Sequence, residues 1–253
     1  MADRERLLEE LVRYAQANDD VIGVYVFGSR GRPDGLADAA SDYDVGVVLR
    51  DDADVGAFDH RWPYVHGSPL EVARATVTTL RMLGEYGTPS AWTRPLYQVV
   101  DLLIDKTGEV AAILESKRGV PASARDRVLR DSLDAYINST YRSLRYRLVG
   151  AGAGVRLDAA DAVSPLLDFL FALDGRVRPW NKYLETEVRE RFLPGGITIE
   201  RVLAILSGEQ GEQHAVFRDV ELLARRHGLD DVVDAWEPDV AWLRGDEPYR
   251  GTE

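Results

Sequence analysis

The chain has 253 residues, 45% hydrophobic and 29% charged, with a formal net charge of −12 and no cysteine. That length can bury one large core or two small ones. The lack of Cys excludes disulfides and thiolate metal sites, and the acidity argues against a partner gripped through its phosphates, so nucleic acid is not expected. No apolar run approaches the ~20 residues of a membrane span. The opening Met1-Ala2-Asp3-Arg4-Glu5 is acidic, unlike a secretory leader, so a cytoplasmic protein is expected.

Residues 3–17 place Leu7, Leu8, Leu11, Val12 and Ala15 at helical spacing and predict an amphipathic helix. Residues 21–27 are β-branched and aromatic and stop at Gly28, which predicts a strand. Residues 43–49 form a second, near-continuously apolar run, so this strand should be covered on both faces. Third and fourth strands are expected over 70–77 and 97–105, and a closing helix over 107–118.

Past Gly119-Val120-Pro121 the pattern changes and no strand is expected. Residues 125–149 carry Leu129, Leu133, Tyr136, Ile137, Tyr141, Leu144 and Leu148 at three- and four-residue steps, a long helix broken by the Gly- and Ala-rich 150–154. Further helices are expected over 158–173, 180–192, 198–207, 212–227 and 229–244, with Pro179 and Pro194-Gly195-Gly196 as punctuation. Strands first and helices after predict an α+β chain in two domains, 1–118 and 119–253.

The chemistry concentrates in residues 26–49, VFGSRGRPDGLADAASDYDVGVVL. Asp42 and Asp44 are i and i+2, so on a strand both carboxylates leave one face with Cα atoms roughly 6.5 Å apart. Two like charges held there repel unless a cation sits between them. Oxygen donors without Cys or a nearby His suit Mg²⁺ or Mn²⁺, and Mg²⁺ completes its shell with water and substrate phosphates. Gly28 lets the backbone approach such an anion closely, Ser29 offers a hydroxyl and an amide, and Ser41 adds a hydroxyl beside the aspartates. The loop from Arg30 to Ala40 is long enough to fold over a phosphate tail, within reach of Arg30 and Arg32. Neither G-x-x-x-x-G-K-[ST] nor G-x-G-x-x-G is present, and no EF-hand ladder. A lone Gly-Ser is usually a turn and a lone D-x-D a solvated loop; the ordered set of strand, Gly-Ser, spacer, Ser-Asp-x-Asp and apolar strand is more specific.

This order resembles the nucleotidyltransferase superfamily that includes DNA polymerase beta, whose signature is Gly-Ser, a spacer and Asp-x-Asp on the next strand, with a third carboxylate later. The matching residues are Gly28, Ser29, Asp42, Asp44 and, in Ser68-Pro69-Leu70-Glu71-Val72, Glu71. The P-L-E-V segment is similar to the streptomycin/spectinomycin adenylyltransferase branch, where the corresponding glutamate acts as general base. The resemblance implies a small mixed-sheet catalytic domain and a helical domain that closes a nucleotide and acceptor cleft. It implies two Mg²⁺ ions on Asp42, Asp44 and Glu71, ATP as donor, and transfer of AMP to a hydroxyl of a small molecule such as an aminoglycoside-like antibiotic, with pyrophosphate released. Gly28, Ser29, Arg30, Ser41 and Lys182 would hold the phosphates, Lys182 by the similarity of GRVRPWNKY, residues 175–183, to a family segment at a helix start. The alternatives are an enzyme acting on a protein or a tRNA end, as toxin–antitoxin relatives do, and a non-catalytic nucleotide-binding module.

Other residues carry competing readings. Asp101 and Asp105 rival Glu71 as the third carboxylate, while Asp51, Asp52 and Asp54 read as a solvated turn. Arg142 and Arg145 read as a helix face, and Trp92 and Trp180 as core or interface aromatics more than as base-stacking platforms. Asp168 and Asp174 could meet a cationic acceptor. The four histidines lack metal-ligand spacing.

Overall fold

The structure, a computed structural model, describes residues 2–33 and 36–250, the side chain of Ala2 excepted. It divides into two compact units, Met1–Gly119 and Val120–Glu253.

The first unit is built on a four-stranded mixed sheet. Its elements in chain order are α1 (Ala2–Ala17), β1 (Val21–Phe27), β2 (Tyr43–Leu49), α2 (Val55–Arg61), β3 (Leu70–Thr76), α3 (Val77–Met82), a 3₁₀ segment (Ala91–Tyr97), β4 (Asp101–Asp105) and α4 (Glu109–Lys117). The strand order is β3-β2-β1-β4. β1 lies antiparallel to β2 and β4, whereas β2 and β3 run parallel. Alternation along the strands sends Val24, Val26, Val45, Val47, Leu49 and Val72 to one face, against Leu11 and Ala15 of α1 and Phe58 of α2. Tyr25 and Val48 go to the other face, against Leu80 of α3, Tyr97, and Val110 and Ile113 of α4. Both faces are covered, as the apolar run of β2 implies, and each such buried side chain contributes roughly 1.5–3 kcal/mol.

Two expectations need correction. The segment 97–105 is strand only from Asp101; residues 91–97 wind into a 3₁₀ turn that buries Thr93 and Tyr97 and contains Pro95, whose missing N–H bars it from a ladder. The short helices α2 and α3 were not expected. Asp54 and Thr76 start them, their side chains accepting the amides of Ala57 and Thr79.

The second unit is helical, with no strand among its described residues. It comprises α5 (Ala122–Leu148), α6 (Gly152–Leu173), α7 (Asn181–Glu190), α8 (Ile199–Ala204), α9 (Gln210–Arg226), α10 (Asp230–Asp234) and α11 (Val240–Arg244). α5 and α6 form a hairpin: Leu133, Ile137 and Leu144 pack on Ala159, Leu166 and Leu170. Arg125 at the start of α5 donates through Nε to the Ala172 carbonyl at the end of α6, 3.1 Å, and also bonds the Leu173 carbonyl. A cation on the last carbonyls of a helix complements its dipole. α6 begins at Gly152, six residues earlier than expected, because Val155 and Asp158 are buried on its inward side. The expected 229–244 helix is two short ones, with Pro238 between them. No helix is long and apolar enough to cross a membrane among the described residues.

Candidate functional site

β1 ends at Phe27 and turns sharply at Gly28, whose φ is +66°. Only a residue without a side chain fits: a Cβ on Gly28 would lie 2.1 Å from Asp44 Oδ2. Gly31 closes the turn, its amide donating to the Phe27 carbonyl at 3.2 Å. A Cβ there would sit 2.4 Å from the Val26 carbonyl oxygen, so this backbone too lies against the strand end. Ser29, between them, is 5% exposed. The Gly-Ser turn and the second aspartate are therefore in direct contact.

Strand register places Glu71 beside Asp44. Asp44 pairs with Phe27 on one side and with Glu71 on the other. Partners in a ladder share a face and lie about 4.8 Å apart. Asp44 alternates onto the face of Tyr25 and Val48 and not that of the valine core under α1, and Asp42 directly precedes β2. Asp101 lies apart from this group. It pairs with Val26, which places it on the opposite face and two strands from Asp44, about 10 Å away. Asp105 accepts the amides of Thr107, Gly108 and Ala111 and so starts α4.

Glu71 is 8% exposed, and both of its oxygens are engaged. Oε1 accepts the Gly67 amide at 2.5 Å and lies 3.2 Å from His66 Nδ1; Oε2 accepts the Tyr64 hydroxyl at 3.0 Å. Burial pushes this carboxyl up, but the Gly67 amide, the Tyr64 hydroxyl and His66 together outweigh it and hold it below the usual glutamate range. The Tyr64 phenol is raised in turn, first by its hydrogen bond to Glu71, with desolvation and the charges of Glu71, Asp44 and Asp42 adding to it. All three carboxylates thus act on one phenol. Sequence reasoning passed over Tyr64, His66 and Gly67. Their signal was the turn Tyr64-Val65-His66-Gly67 directly before the strand that carries Glu71.

Asp42 and Asp44 offer an all-oxygen pair that fits a hard divalent cation. Among the described residues no three His, Cys, Asp or Glu side chains gather into a cage that could hold an ion. Glu71 stands beside the pair with its oxygens turned to the 64–67 turn.

The loop between Gly28 and Asp42 is braced from both sides; Asp34 and Gly35 within it lie outside the described residues. Ser41 turns its hydroxyl to Asp38 Oδ1, 2.9 Å, away from the role of a hydroxyl beside the aspartates. Arg30 donates through Nε to the Ser41 carbonyl, 2.8 Å, and stacks over Tyr43 with 4.5 Å to the ring centroid. Arg4 of α1 reaches the carbonyls of Ala39, 2.6 Å, and Ser41, 3.1 Å. The structure thus makes Arg30 a brace of the loop.

Lys182 is exposed in the first turn of α7 in the second unit, its Nζ 5.5 Å from the Tyr183 ring centroid. In the same unit Arg142 pairs with the buried Asp158, and Asp168 and Asp174 pair with Arg178 and Arg176 at 3.7 and 3.2 Å. Trp92 and Trp180 are 68% and 43% exposed and so are not core residues within their own units. Asp51, Asp52 and Asp54 serve local structure, on Thr78, Arg50 and the start of α2 respectively.

Residues 5–85 match the family model of the nucleotidyltransferase domain, and the match contains Gly28, Ser29, Asp42, Asp44 and Glu71. This part of the first unit is therefore similar to nucleotidyltransferase domains. No curated protein matches the chain in sequence. Among solved structures, a nucleotidyltransferase-like protein from Exiguobacterium sibiricum 255-15 is similar at 12% identity, over 96% of this chain and 87% of that one, with a TM-score of 0.42.

Proposed function

We propose that the chain is a metal-dependent nucleotidyltransferase that moves AMP from ATP onto a hydroxyl of a small molecule and releases pyrophosphate. The observation that carries this reading is the Gly28 turn pressed against Asp44, with Glu71 in register beside it. Asp42 and Asp44 would hold Mg²⁺ or Mn²⁺, which when bound neutralises the triphosphate and fixes its orientation. The backbone of Gly28 and Ser29 lines the phosphate side, where close approach is possible only without a side chain. Glu71 accepts the proton as the acceptor oxygen bonds to the α-phosphorus; the bond to the pyrophosphate oxygen breaks, and pyrophosphate leaves with that electron pair. The 64–67 turn favours the ionised form of Glu71, the form that can take up a proton. Catalysis then rests on position and electrostatics, without a covalent intermediate.

The test is incubation of the full chain with Mg²⁺, labelled NTPs and a panel of aminoglycosides, polyols and aromatic alcohols. A nucleotidylated product and stoichiometric pyrophosphate are expected with at least one acceptor. Asp42→Asn and Asp44→Asn should each abolish turnover with unchanged circular dichroism. Absence of any Mg²⁺-dependent NTP binding overturns the reading.

A further inference from the structure

We infer that the acceptor carries a planar apolar ring one or two carbons from its reacting hydroxyl, and that this ring seats in a cavity next to Glu71; the inference rests on the nucleotidyltransferase reading above. The cavity measures about 160 Å³ and is walled by Tyr25, Phe27, Leu96 and Tyr97, with Ala73 and Ala75 among the residues beneath. An apolar cavity of roughly 150 Å³ stays dry and takes up benzene. The volume therefore matches one six-membered ring.

Its position follows from the strand pattern that places the carboxylates. Asp44 and Gly46 on β2, and Glu71, Ala73 and Ala75 on β3, alternate onto one sheet face. On that face the acidic positions come first and small residues follow. Gly46 admits the Tyr25 ring, since a Cβ there would lie 2.1 Å from it. Ala73 and Ala75 leave the adjoining space open. Ala73 is two residues past Glu71, about 6.5 Å along the strand, so a ring over Ala73 with a short arm brings a hydroxyl to the Glu71 carboxylate. Phe27, on the opposite wall, is the ladder partner of Asp44. Phe27 and Ala73 thus set the cavity at the strand positions next to Asp44 and Glu71.

The walls select chemistry. Tyr25 and Phe27 lie 6.0 Å apart and Tyr25 and Tyr97 6.4 Å apart between ring centroids, distances at which aromatic edges and faces attract. The Thr93 hydroxyl, also at the cavity, already donates to the Ser90 carbonyl at 2.8 Å. The Tyr25 and Tyr97 hydroxyls bond one another, and Thr93 bonds Tyr97, so a polyol placed here would find its possible partners already engaged; an unpaired buried hydroxyl costs free energy, whereas a buried hydrocarbon ring gains it. Aminoglycosides, which have no apolar ring, are therefore the comparison that should fail.

The test uses the full chain with ¹³C-labelled alanine methyls and 2-phenylethanol as probe, with myo-inositol and an aminoglycoside as comparisons. 2-Phenylethanol should shift the Ala73 and Ala75 methyl resonances saturably; the other two should not. Ala73→Leu, which fills the space from an exposed position, should raise the 2-phenylethanol Kd at least tenfold and leave MgATP affinity within twofold. If that variant loses MgATP affinity, Ala75→Val, a smaller intrusion into the same space, should give the same selective loss. With labelled ATP and Mg²⁺, 2-phenylethanol should become adenylylated in the wild-type chain. Unshifted Ala73 and Ala75 methyls, or wild-type 2-phenylethanol affinity in the filled variant, overturn the inference while MgATP binding stands. A seated 2-phenylethanol with no MgATP binding overturns the nucleotidyltransferase reading instead, and the acceptor role with it.

Discussion

Replacing Gly28 with Ala probes the link between the Gly-Ser turn and the acidic strand. A Cβ at this position would be 2.1 Å from Asp44 Oδ2, whereas a carbon and an oxygen settle at roughly 3.3 Å, so the carboxylate must retreat by roughly 1 Å. The φ of +66° adds left-handed strain of about 1–2 kcal/mol. Gly108→Ala separates the two effects. Gly108 has φ +78° and nothing within 4 Å of a built Cβ, so it carries the strain without the collision. Both variants should lower the Tm of the first unit by roughly 4–10 °C. Only Gly28→Ala should cut nucleotidyl transfer, on the order of 10²-fold, because a misplacement of about 1 Å is enough to do so. Calorimetry and a coupled pyrophosphate assay read the two quantities separately. Full activity in Gly28→Ala, or an equal loss in Gly108→Ala, would refute the claim that the turn positions Asp44.

The remaining predictions concern Glu71 and the helical unit. Glu71→Gln should lower turnover strongly and leave MgATP affinity unchanged, since only the proton acceptor is lost; Tyr64→Phe, which removes one hydrogen bond of about 1.5–3 kcal/mol to that carboxylate, should lower kcat by on the order of tenfold with the same unchanged affinity in isothermal titration. In the second unit Glu221, whose side chain is 7% exposed, accepts from Arg225 Nε at 2.9 Å and from Arg244 Nε and Nη2 at 2.5 and 2.6 Å. Its Gln substitution leaves two partly exposed guanidiniums with a weaker partner and should cost about 2–3 kcal/mol by urea denaturation. Burial raises the Glu221 carboxyl, but the two arginines outweigh it and hold it below the ordinary glutamate value. A carboxyl lowered in the folded state stabilises above its unfolded pKa and loses that contribution as pH falls through the folded one. Denaturation midpoints of wild type and Glu221→Gln should therefore converge on acidification below the usual carboxylate range.

The strands were legible because alternation and β-branched runs bounded by Gly28 and by Asp42-Tyr43 leave little freedom. The long helix α5 was legible from its three- and four-residue apolar spacing. The 3₁₀ segment was not, because Leu96 and Tyr97 look like the start of the apolar run that continues into β4, and only the packing of Tyr97 on Tyr25 decides otherwise. The site was legible in part for a similar reason. Asp42 and Asp44 are neighbours in sequence, so two-residue geometry suffices to pair them. Glu71 needed the strand order, which the sequence does not spell out; β3 beside β2, and β4 on the far edge, is what separates Glu71 from Asp101. The Tyr64 and Gly67 contacts depend on the fold of an irregular turn, and no periodicity announces them. Arg30 and Ser41 read as phosphate ligands, and a sequence cannot show that each also makes hydrogen bonds within the loop.

The parallel pairing of β2 and β3 gives the site an arithmetic property. Glu71 meets Asp44 because both fall on the same parity of their strands, and the connecting residues 50–69 do not enter that count. Evolution or an engineer can lengthen the crossover around α2 freely, so long as the ladder re-forms from Tyr43 opposite Leu70. Inserting one residue between Leu70 and Glu71, by contrast, would put the newcomer opposite Asp44 and turn the acid to the other face of the sheet, since a single slip inverts every side chain of a strand. The acid site is thus indifferent to distance along the chain and intolerant of an odd number.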